Sequence, residues 1–596
     1  MTKTLSREAT RESQSLLRDA LARLGIERLV LSVHQASFPA SDDDLGHGAP
    51  YSKRAVDFAR FAAGIGFNGL MLGPAGVVSP ANASPYDASS FSRGVMSLSF
   101  ARLVEEGLLD ARALDRAVRE RCAGERVDRP SARRAANELL ARIDGGPFAE
   151  RVARFRASSP WLGAEAEYES VAAAVGHDDW TRWPQAPPRD RVAGERFELG
   201  QLLAAEQHAE FRRAVNAMGL RVYADMQVGM GHRDRKLFGP LLLAGYALGA
   251  PPSRTNPEGQ PWGYPLFDPT QLAPGGAARA LFEQRLDLLL RDHDGLRVDH
   301  PHGLVCPWVY RTDLADPLRA VQAGARLHES PDLPDHPALR RYARVRPEQI
   351  DASVTRYDDR RVRWLEAPQI DAYATTFDLI VARARAHGVS ARDLCAEVLS
   401  TCPAPLRAVL TRHGLGRFRV TQKARVDIPE DVYRSDNADA MDWVMVGNHD
   451  TDPLTLLTER WHATPEASRR AEYLARRLCP SERERAPMAV AIAQDTQAMA
   501  QAMFADLFVG PARQVLVFWA DLFGVREVYN RPGVVHPDNW TLRVPRDFEH
   551  AYAQATRHGA APSLPSALAT ALRARGLDHD DGRALTERLD ALAHEP

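Results

Sequence analysis

Eight short apolar runs, spread along the chain and separated by longer segments, are the feature of this sequence that most constrains its fold. The first two runs flank a segment with helical spacing, and strand, helix and strand at short spacing are typical of parallel strands joined by right-handed crossovers. We therefore predict an α/β fold, a (β/α)8 TIM barrel with large, mainly helical insertions between barrel strands. The runs are RLVLSVHQ, FNGLMLGP, GLRVYADMQV, GLRVDH, DLCAEVL, GRFRVTQ, DWVMVGNH and QVLVFWAD.

The length of 596 residues leaves room for a large core and for long insertions in the barrel. We expect an N-terminal helical extension at 1–27, the barrel at 28–545 and C-terminal surface helices at 546–596. The segments at about 95–215 and 301–390 are too long to be simple loops, so we predict that they are helical insertions.

Bulk composition excludes several classes of protein. The formal net charge of −2 gives no electrostatic reason to bind nucleic acid or an anionic membrane. No apolar run approaches the roughly 18 residues of a membrane span, and the N-terminus has no apolar signal-peptide core. The five cysteines are scattered without a Cys-x-x-Cys pair, so we expect neither a zinc knuckle nor a redox dithiol. A reducing, cytoplasmic location is the simplest expectation.

Acidic residues lie where three of the predicted strands end. Asp299 closes the fourth strand, Glu397 the fifth and Asp450 the seventh. Arg297 shares a strand face with Asp299, because strand side chains alternate, and His449 precedes Asp450. Since a parallel barrel opens its active site at the strand C-termini, these residues predict a catalytic centre.

Two carboxylates on neighbouring strand ends suit the hydrolysis or transfer of a glycosidic bond. A separation of about 5 Å is that of a retaining enzyme, in which one carboxylate attacks the anomeric carbon and the other, with a raised pKa, protonates the leaving oxygen. Each residue by itself is also compatible with a structural ion pair or a helix cap. A divalent metal ion bound by Asp, His and Glu is the competing chemical interpretation. We expect no metal and no organic cofactor, because glycoside chemistry requires neither.

Several motifs in this order resemble the 4-α-glucanotransferases of the amylomaltase type, glycoside hydrolase family 77. The resemblance spans roughly 30–550. Its blocks are SPYDASSF (84–91), GAPPSRTNPEGQPWGYPLFD (249–268), GLRVDHPHGL (295–304) and GNHDTD (447–452), supported by DDWTRWP (178–184) and YNRPGVVHPDNWTLRVP (529–545).

The resemblance implies a role for each matching residue. Asp299 would be the nucleophile, Glu397 the acid/base and Asp450 the transition-state stabiliser, with Arg297 and His449 supporting them. Three further residues would bind substrate: Asp225 at the floor of the sugar site, Tyr86 stacked on a sugar, and Trp262 on the acceptor side. The implied activity is that of a retaining 4-α-glucanotransferase, which passes a glycosyl unit between maltooligosaccharides or α-glucans.

Substrate-facing segments depart from the family pattern. Val398 follows the acid where the family has Asp, Pro301-His302 replace an aromatic–Arg pair, and Arg254-Thr255 replace Tyr-Phe at the tip of the long loop. The alternatives are therefore an α-glucan hydrolase, a transferase to another acceptor, and a non-catalytic glycan-binding relative.

Overall fold

A computed structural model describes residues 7–121 and 124–594 of the chain, so Cys122 and the first six residues of the predicted extension lie outside the described residues. In chain order, the strands of the described residues are β1 (Arg28–Val33), β2 (Gly69–Leu72), β3 (Arg221–Met226), β4 (Tyr246–Ala250), β5 (Gln260–Tyr264), β6 (Gly295–Val298), β7 (Trp308–Arg311), β8 (Ala325–Arg326), β9 (Leu394–Ala396), β10 (Phe418–Val420), β11 (Trp443–Met445) and β12 (Gln514–Phe518).

Eight of these strands form one parallel sheet, in the order β10-β11-β12-β1-β2-β3-β6-β9. The two outer strands approach each other, since the Phe418 amide donates a hydrogen bond of 3.2 Å to the Val398 carbonyl just beyond β9. The eight strands are those expected from the apolar runs. Several are buried along their whole length, which explains why their sequences lack polar alternation. The predicted TIM barrel is confirmed.

The interior of the barrel near the strand N-termini is filled by Tyr223. A Cβ atom on Gly69 or Gly295, in the neighbouring strands, would lie 2.9 or 2.4 Å from the Tyr223 ring, so only glycine leaves room for it. The Tyr223 hydroxyl donates to Asp393 at 2.6 Å, and Arg28 pairs with the same carboxylate at 2.7 Å. This end of the barrel is thus closed by packed and hydrogen-bonded side chains.

The remaining strands form an antiparallel sheet in the order β5-β4-β7-β8. The Pro- and Gly-rich stretch 250–269, expected as a loop, contributes β5, which pairs with β4 as a hairpin. Most residues in the regular elements of the segment 301–390 are helical, and the segment also contributes the short strands β7 and β8. The run WVYR of β7 pairs antiparallel with β4 in this second sheet.

The segment 95–215 is helical throughout its regular elements and has an apolar core of its own. Its α-helices are Phe100–Glu105, Ala111–Glu120, Arg129–Leu140, Ala149–Ser158, Leu162–Val175 and Arg191–Asn216.

Further helices surround the barrel and the second sheet. Lys53–Gly64 begins at the Ser52 side chain, which accepts a hydrogen bond from the Ala55 amide, and buries Phe58 against the strands. The others are His232–Phe238, Ala277–Asp292, His302–Val305, Pro317–Gln322, Ala367–Ala386, Ala404–His413, Leu454–Trp461, Pro465–Leu478, Glu482–Gln494, Thr496–Asp506 and Trp519–Leu522.

The two ends of the chain pack together. Leu16 and Leu17 of the first helix, Arg7–Arg23, lie in the same apolar core as Leu568. The C-terminal helices are Phe548–Arg557, Leu564–Ala574 and Asp581–His594. Among the described residues, no helix is both long and apolar enough to span a membrane.

Candidate active site

The backbone of the barrel fixes the relative positions of the predicted catalytic carboxylates. Hydrogen bonding continues past the ends of β6 and β9, since the Asp299 amide donates to the Met226 carbonyl and the Glu397 amide to the Val298 carbonyl, each at 3.0 Å. One carboxylate oxygen of Asp299 and one of Glu397 lie within 4.8 Å of each other. This limit is compatible with the short separation of the two carboxyl groups in a retaining glycosidase and excludes the wider spacing of an inverting one.

Arg297 lies at the centre of the site and is buried. Its Nη1 is 2.5 Å from Asp225 Oδ1, on the register-paired position of β3. Its Nη2 is 3.1 Å from Asp299 Oδ1 and 2.5 Å from Glu397 Oε2. One planar guanidinium therefore serves as counter-ion to three carboxylates, which a Lys ammonium at this position could not do with the same geometry.

The expected roles require an ionised Asp299 and a protonated Glu397. The pKa values of the two carboxyl groups shift in the opposite directions. Burial, together with the adjacent Glu397, raises the pKa of Asp299 well above its usual range. Burial also opposes ionisation of Glu397, but Arg297 and His300 outweigh it and lower the pKa of that carboxyl. The cause is geometric, because Glu397 has the shorter contact with Arg297. These directions favour a proton on Asp299 rather than on Glu397.

Tyr86 lies at the floor of the site. Its hydroxyl donates to Asp225 Oδ2 at 2.7 Å, and its ring stacks on His449 with centroids 5.0 Å apart. Trp540 and His34 pack beside this pair, with Trp540 5.5 Å from His449 and His34 4.9 Å from it. The expected contact of Tyr86 with a sugar stays a prediction.

Asp450 is held by amide side chains. Asn530 donates to its Oδ1 at 2.6 Å, and the Asp450 amide donates to Asn448 Oδ1 at 3.0 Å. Asn448 also reaches Glu397 Oε1 at 3.4 Å, and His449 Nε2 lies 3.5 Å from Asp450 Oδ2. The side chain of Asp450 keeps a third of its surface exposed, so it remains accessible to a ligand.

Trp262, on β5, packs over the opposite edge of the site. Its ring stacks on His300 with centroids 4.8 Å apart and an interplanar angle of 14°. His300 has a left-handed backbone conformation with φ of 39°, and its Nδ1 lies 3.8 Å from Glu397 Oε2. Trp262 therefore lies on the Glu397 side of the site, and its assignment to the acceptor side stays a prediction.

Among the residues that the structure describes, Asp299, His300 and Glu397 form a group that could hold a metal ion, since each offers a ligand atom within 4.8 Å of the others. Arg297 already pairs with both carboxylates, and a cation there would have to displace or tolerate the guanidinium charge. The arrangement therefore suits a carboxylate pair better than a metal centre.

The structure thus brings together every residue predicted for the site. Sequence reasoning missed the amide support of Asn448 and the packing of His34 and Trp540. It also missed Lys423, the last residue of the short 3-10 helix after β10; burial lowers its pKa, and the charges of Asp450 and Glu397 oppose this effect. The rule that identified the acidic residues, polarity at a barrel strand end, would have found Lys423 as well.

Comparisons with known proteins agree with the geometry. The family model of the 4-alpha-glucanotransferases, Glyco_hydro_77, matches residues 33–548. The chloroplastic/amyloplastic 4-alpha-glucanotransferase of Solanum tuberosum is 25% identical over 47% of this chain and 53% of its own length. The 4-alpha-glucanotransferase of Synechocystis is 25% identical over 46% of this chain and 59% of its own. The matches thus cover little more than half of these relatives.

Solved structures show the same fold. The amylomaltase from Streptococcus agalactiae, in complex with acarbose, superposes with a TM-score of 0.66 at 16% identity, covering 90% of this chain and all of the other. The amylomaltase from Corynebacterium glutamicum superposes with a TM-score of 0.63 at 18% identity, covering 90% of this chain and 76% of the other.

Proposed function

Because this chain belongs to the 4-alpha-glucanotransferase family, glycoside hydrolase family 77, we propose that it is itself a retaining 4-α-glucanotransferase. It would cleave an α-1,4-glucosidic bond of a maltooligosaccharide or α-glucan and transfer the glycosyl unit to another glucan. The observation that carries this proposal is the Asp299–Glu397 pair, within 4.8 Å and joined through Arg297.

In the first step Asp299 attacks the anomeric carbon, and the glycosidic C–O bond breaks. Glu397 gives its proton to the departing 4-oxygen, so the leaving glucan is neutral and the glycosyl unit is held as an ester of Asp299. The proton must first pass from Asp299 to Glu397. A carboxylate oxygen of each residue lies within 4.8 Å of the other, so the proton has only a short distance to travel.

In the second step the 4-hydroxyl of the acceptor gives its proton to Glu397 and attacks the anomeric carbon. The ester bond to Asp299 breaks, which restores both carboxyl groups. Asp450 and Asp225, with His449 and Tyr86, would hold the hydroxyls of the donor sugar. Their mutual hydrogen bonds and stacking keep these groups in place before the substrate binds.

Transfer rather than hydrolysis requires that the ester be shielded from water. The β4–β5 hairpin supports this, because it places Trp262 over His300 at the site. The acarbose bound by the amylomaltase of Streptococcus agalactiae agrees with an oligosaccharide ligand. We further propose that the protein works in a reducing, cytoplasmic setting, which its scattered cysteines support.

Incubation with maltotriose tests the proposal. A shielded transferase should form free glucose together with maltooligosaccharides longer than the substrate, resolved by length in chromatography. Glucose and maltose with nothing longer would identify a hydrolase instead. No turnover of any α-glucan would favour a glycan-binding relative or another donor sugar.

A further inference from the structure

The tip of the β4–β5 hairpin is fastened to the loop that follows β10. Arg254 Nη1 lies 2.7 Å from Asp431 Oδ2, and only 4% of the Asp431 side chain is exposed. The Arg254 guanidinium also lies over the buried Tyr433 ring, 5.0 Å from its centroid. Beside it, Thr255 Oγ1 lies 3.3 Å from Ser400 Oγ. We call this set of contacts the Arg254 latch.

Hydrogen bonds hold the loop that carries Asp431 and Tyr433 in place. The Tyr433 amide donates to Asp431 Oδ1 at 2.9 Å, which orients the carboxylate toward Arg254. Arg419 on β10 donates to the Val432 carbonyl at 2.7 Å and pairs with Asp442 at 2.6 Å. The loop is thus tied to the barrel, and the hairpin tip cannot open on this side without breaking a largely buried ion pair.

The latch lies on the side of the site where an acceptor must bind. A general acid protonates the departing oxygen, so the leaving and the incoming glucans occupy the Glu397 side. Ser400, which meets the latch, follows Glu397 by three residues, and Trp262 of the same hairpin covers His300 next to Glu397. The latch therefore joins the hairpin tip to the chain segment that follows the acid.

We propose that the Arg254 latch limits the acceptor site to a short sugar, such as glucose or maltose. The proposal rests on the transferase function above. A short acceptor follows from the position of the latch, because its contacts join the hairpin tip to Asp431 and to Ser400, which follows the acid Glu397 in the chain.

The test uses α-glucosyl fluoride as donor, since this donor glycosylates Asp299 whatever the acceptor. Glucose, maltose and maltohexaose serve as acceptors, and kcat and KM are measured for each. We expect maltohexaose to be no better than maltose for the wild-type protein. Arg254→Ala and Asp431→Asn should each raise the efficiency with maltohexaose relative to maltose about tenfold, equivalent to about 1.4 kcal/mol.

Two further variants serve as controls for a general structural effect of the substitutions. The charge exchange Arg254→Asp with Asp431→Arg should return the preference toward that of the wild type. Arg311→Ala breaks the exposed pair with Asp313 on β7 and should leave the length preference unchanged. A wild-type protein that uses maltohexaose more efficiently than maltose would contradict the proposed role of the latch. So would an Arg254→Ala variant whose efficiency changes equally with short and long acceptors.

Fluoride release distinguishes failure of the latch from failure of the proposed function. Normal fluoride release with an unaltered length preference in Arg254→Ala would overturn the latch alone. Absence of fluoride release in the wild type would refute the transferase function itself.

Discussion

The substitution Glu397→Gln separates the two proposed carboxylate roles. It removes the proton donor, so the kcat with maltotriose should fall by about 10²–10⁴-fold, the usual contribution of general acid–base catalysis. An α-glucosyl fluoride needs no protonation to lose its leaving group and should still glycosylate the protein. The second step then lacks its base, and the glycosyl ester should accumulate on Asp299.

The structure also predicts a pH effect of this substitution. At the 4.8 Å limit between the carboxylate oxygens, two negative charges repel each other by roughly 3 kcal/mol at an effective dielectric constant of about 20. Burial and this repulsion raise the pKa of Asp299. Loss of the charge at residue 397, with Arg297 retained, lowers that pKa, and Asp299 must be ionised to attack. Fluoride release should therefore begin at a lower pH in Glu397→Gln than in the wild type.

Single-turnover fluoride release across pH and mass spectrometry of the denatured protein check both expectations. Glu348→Gln changes an exposed glutamate paired with Arg346 and is the matched control. An adduct on a peptide without Asp299, an unchanged pH dependence, or undiminished activity with maltotriose would contradict the reasoning.

Two other predictions concern single carboxylates. Asp299→Asn should abolish fluoride release while glucan binding, measured by calorimetry, survives, because the amide keeps the shape and the contact with Arg297; residual transfer at the wild-type rate would disprove the nucleophile. Asp393→Asn should lower the free energy of unfolding by roughly 3 kcal/mol, since it breaks a buried ion pair with Arg28. Burial opposes ionisation of Asp393, but hydrogen bonds from Arg28, Tyr223 and Ser390 outweigh it and lower its pKa. The stabilisation is therefore present above the ordinary carboxyl range near 4 and is lost as the pH falls through the lower pKa of the folded state. Urea unfolding at pH 7 and at pH 3 should show the loss shrinking in acid, and an equal loss at both would contradict the assignment.

The barrel could be predicted from the sequence because its strands are buried on both faces. Runs such as QVLVF are apolar throughout and separated by helical segments, which is the pattern of a parallel sheet. The β4–β5 hairpin could not be predicted in this way. Its second strand, QPWGY, is half-buried, contains Gly263 at φ of 71°, and pairs across a register shift, so neither periodicity nor composition marks it as a strand.

The site residues were predictable for a related reason. Strand C-termini share one end of a parallel barrel, so Asp299, Glu397 and Asp450 had to lie near one another once the strands were placed. The distances that set their charges were not predictable. Whether Arg297 lies nearer to Asp299 or to Glu397 depends on differences of less than 1 Å between side chains, which no sequence pattern encodes.

The reversed protonation of the pair is compatible with the proposed chemistry because Arg297 contacts both carboxyl groups. Moving the proton from Asp299 to Glu397 transfers the negative charge from one contact of the guanidinium to the other, so the counter-ion is never lost. Positive charge that develops at the anomeric carbon favours an ionised Asp299, while the departing oxygen favours a protonated Glu397. Both charges of the transition state therefore favour the protonation state that the reaction needs. A single arginine shared by nucleophile and acid is the counter-ion of either ionised carboxyl group, so the proton can move between them without loss of the ion pair.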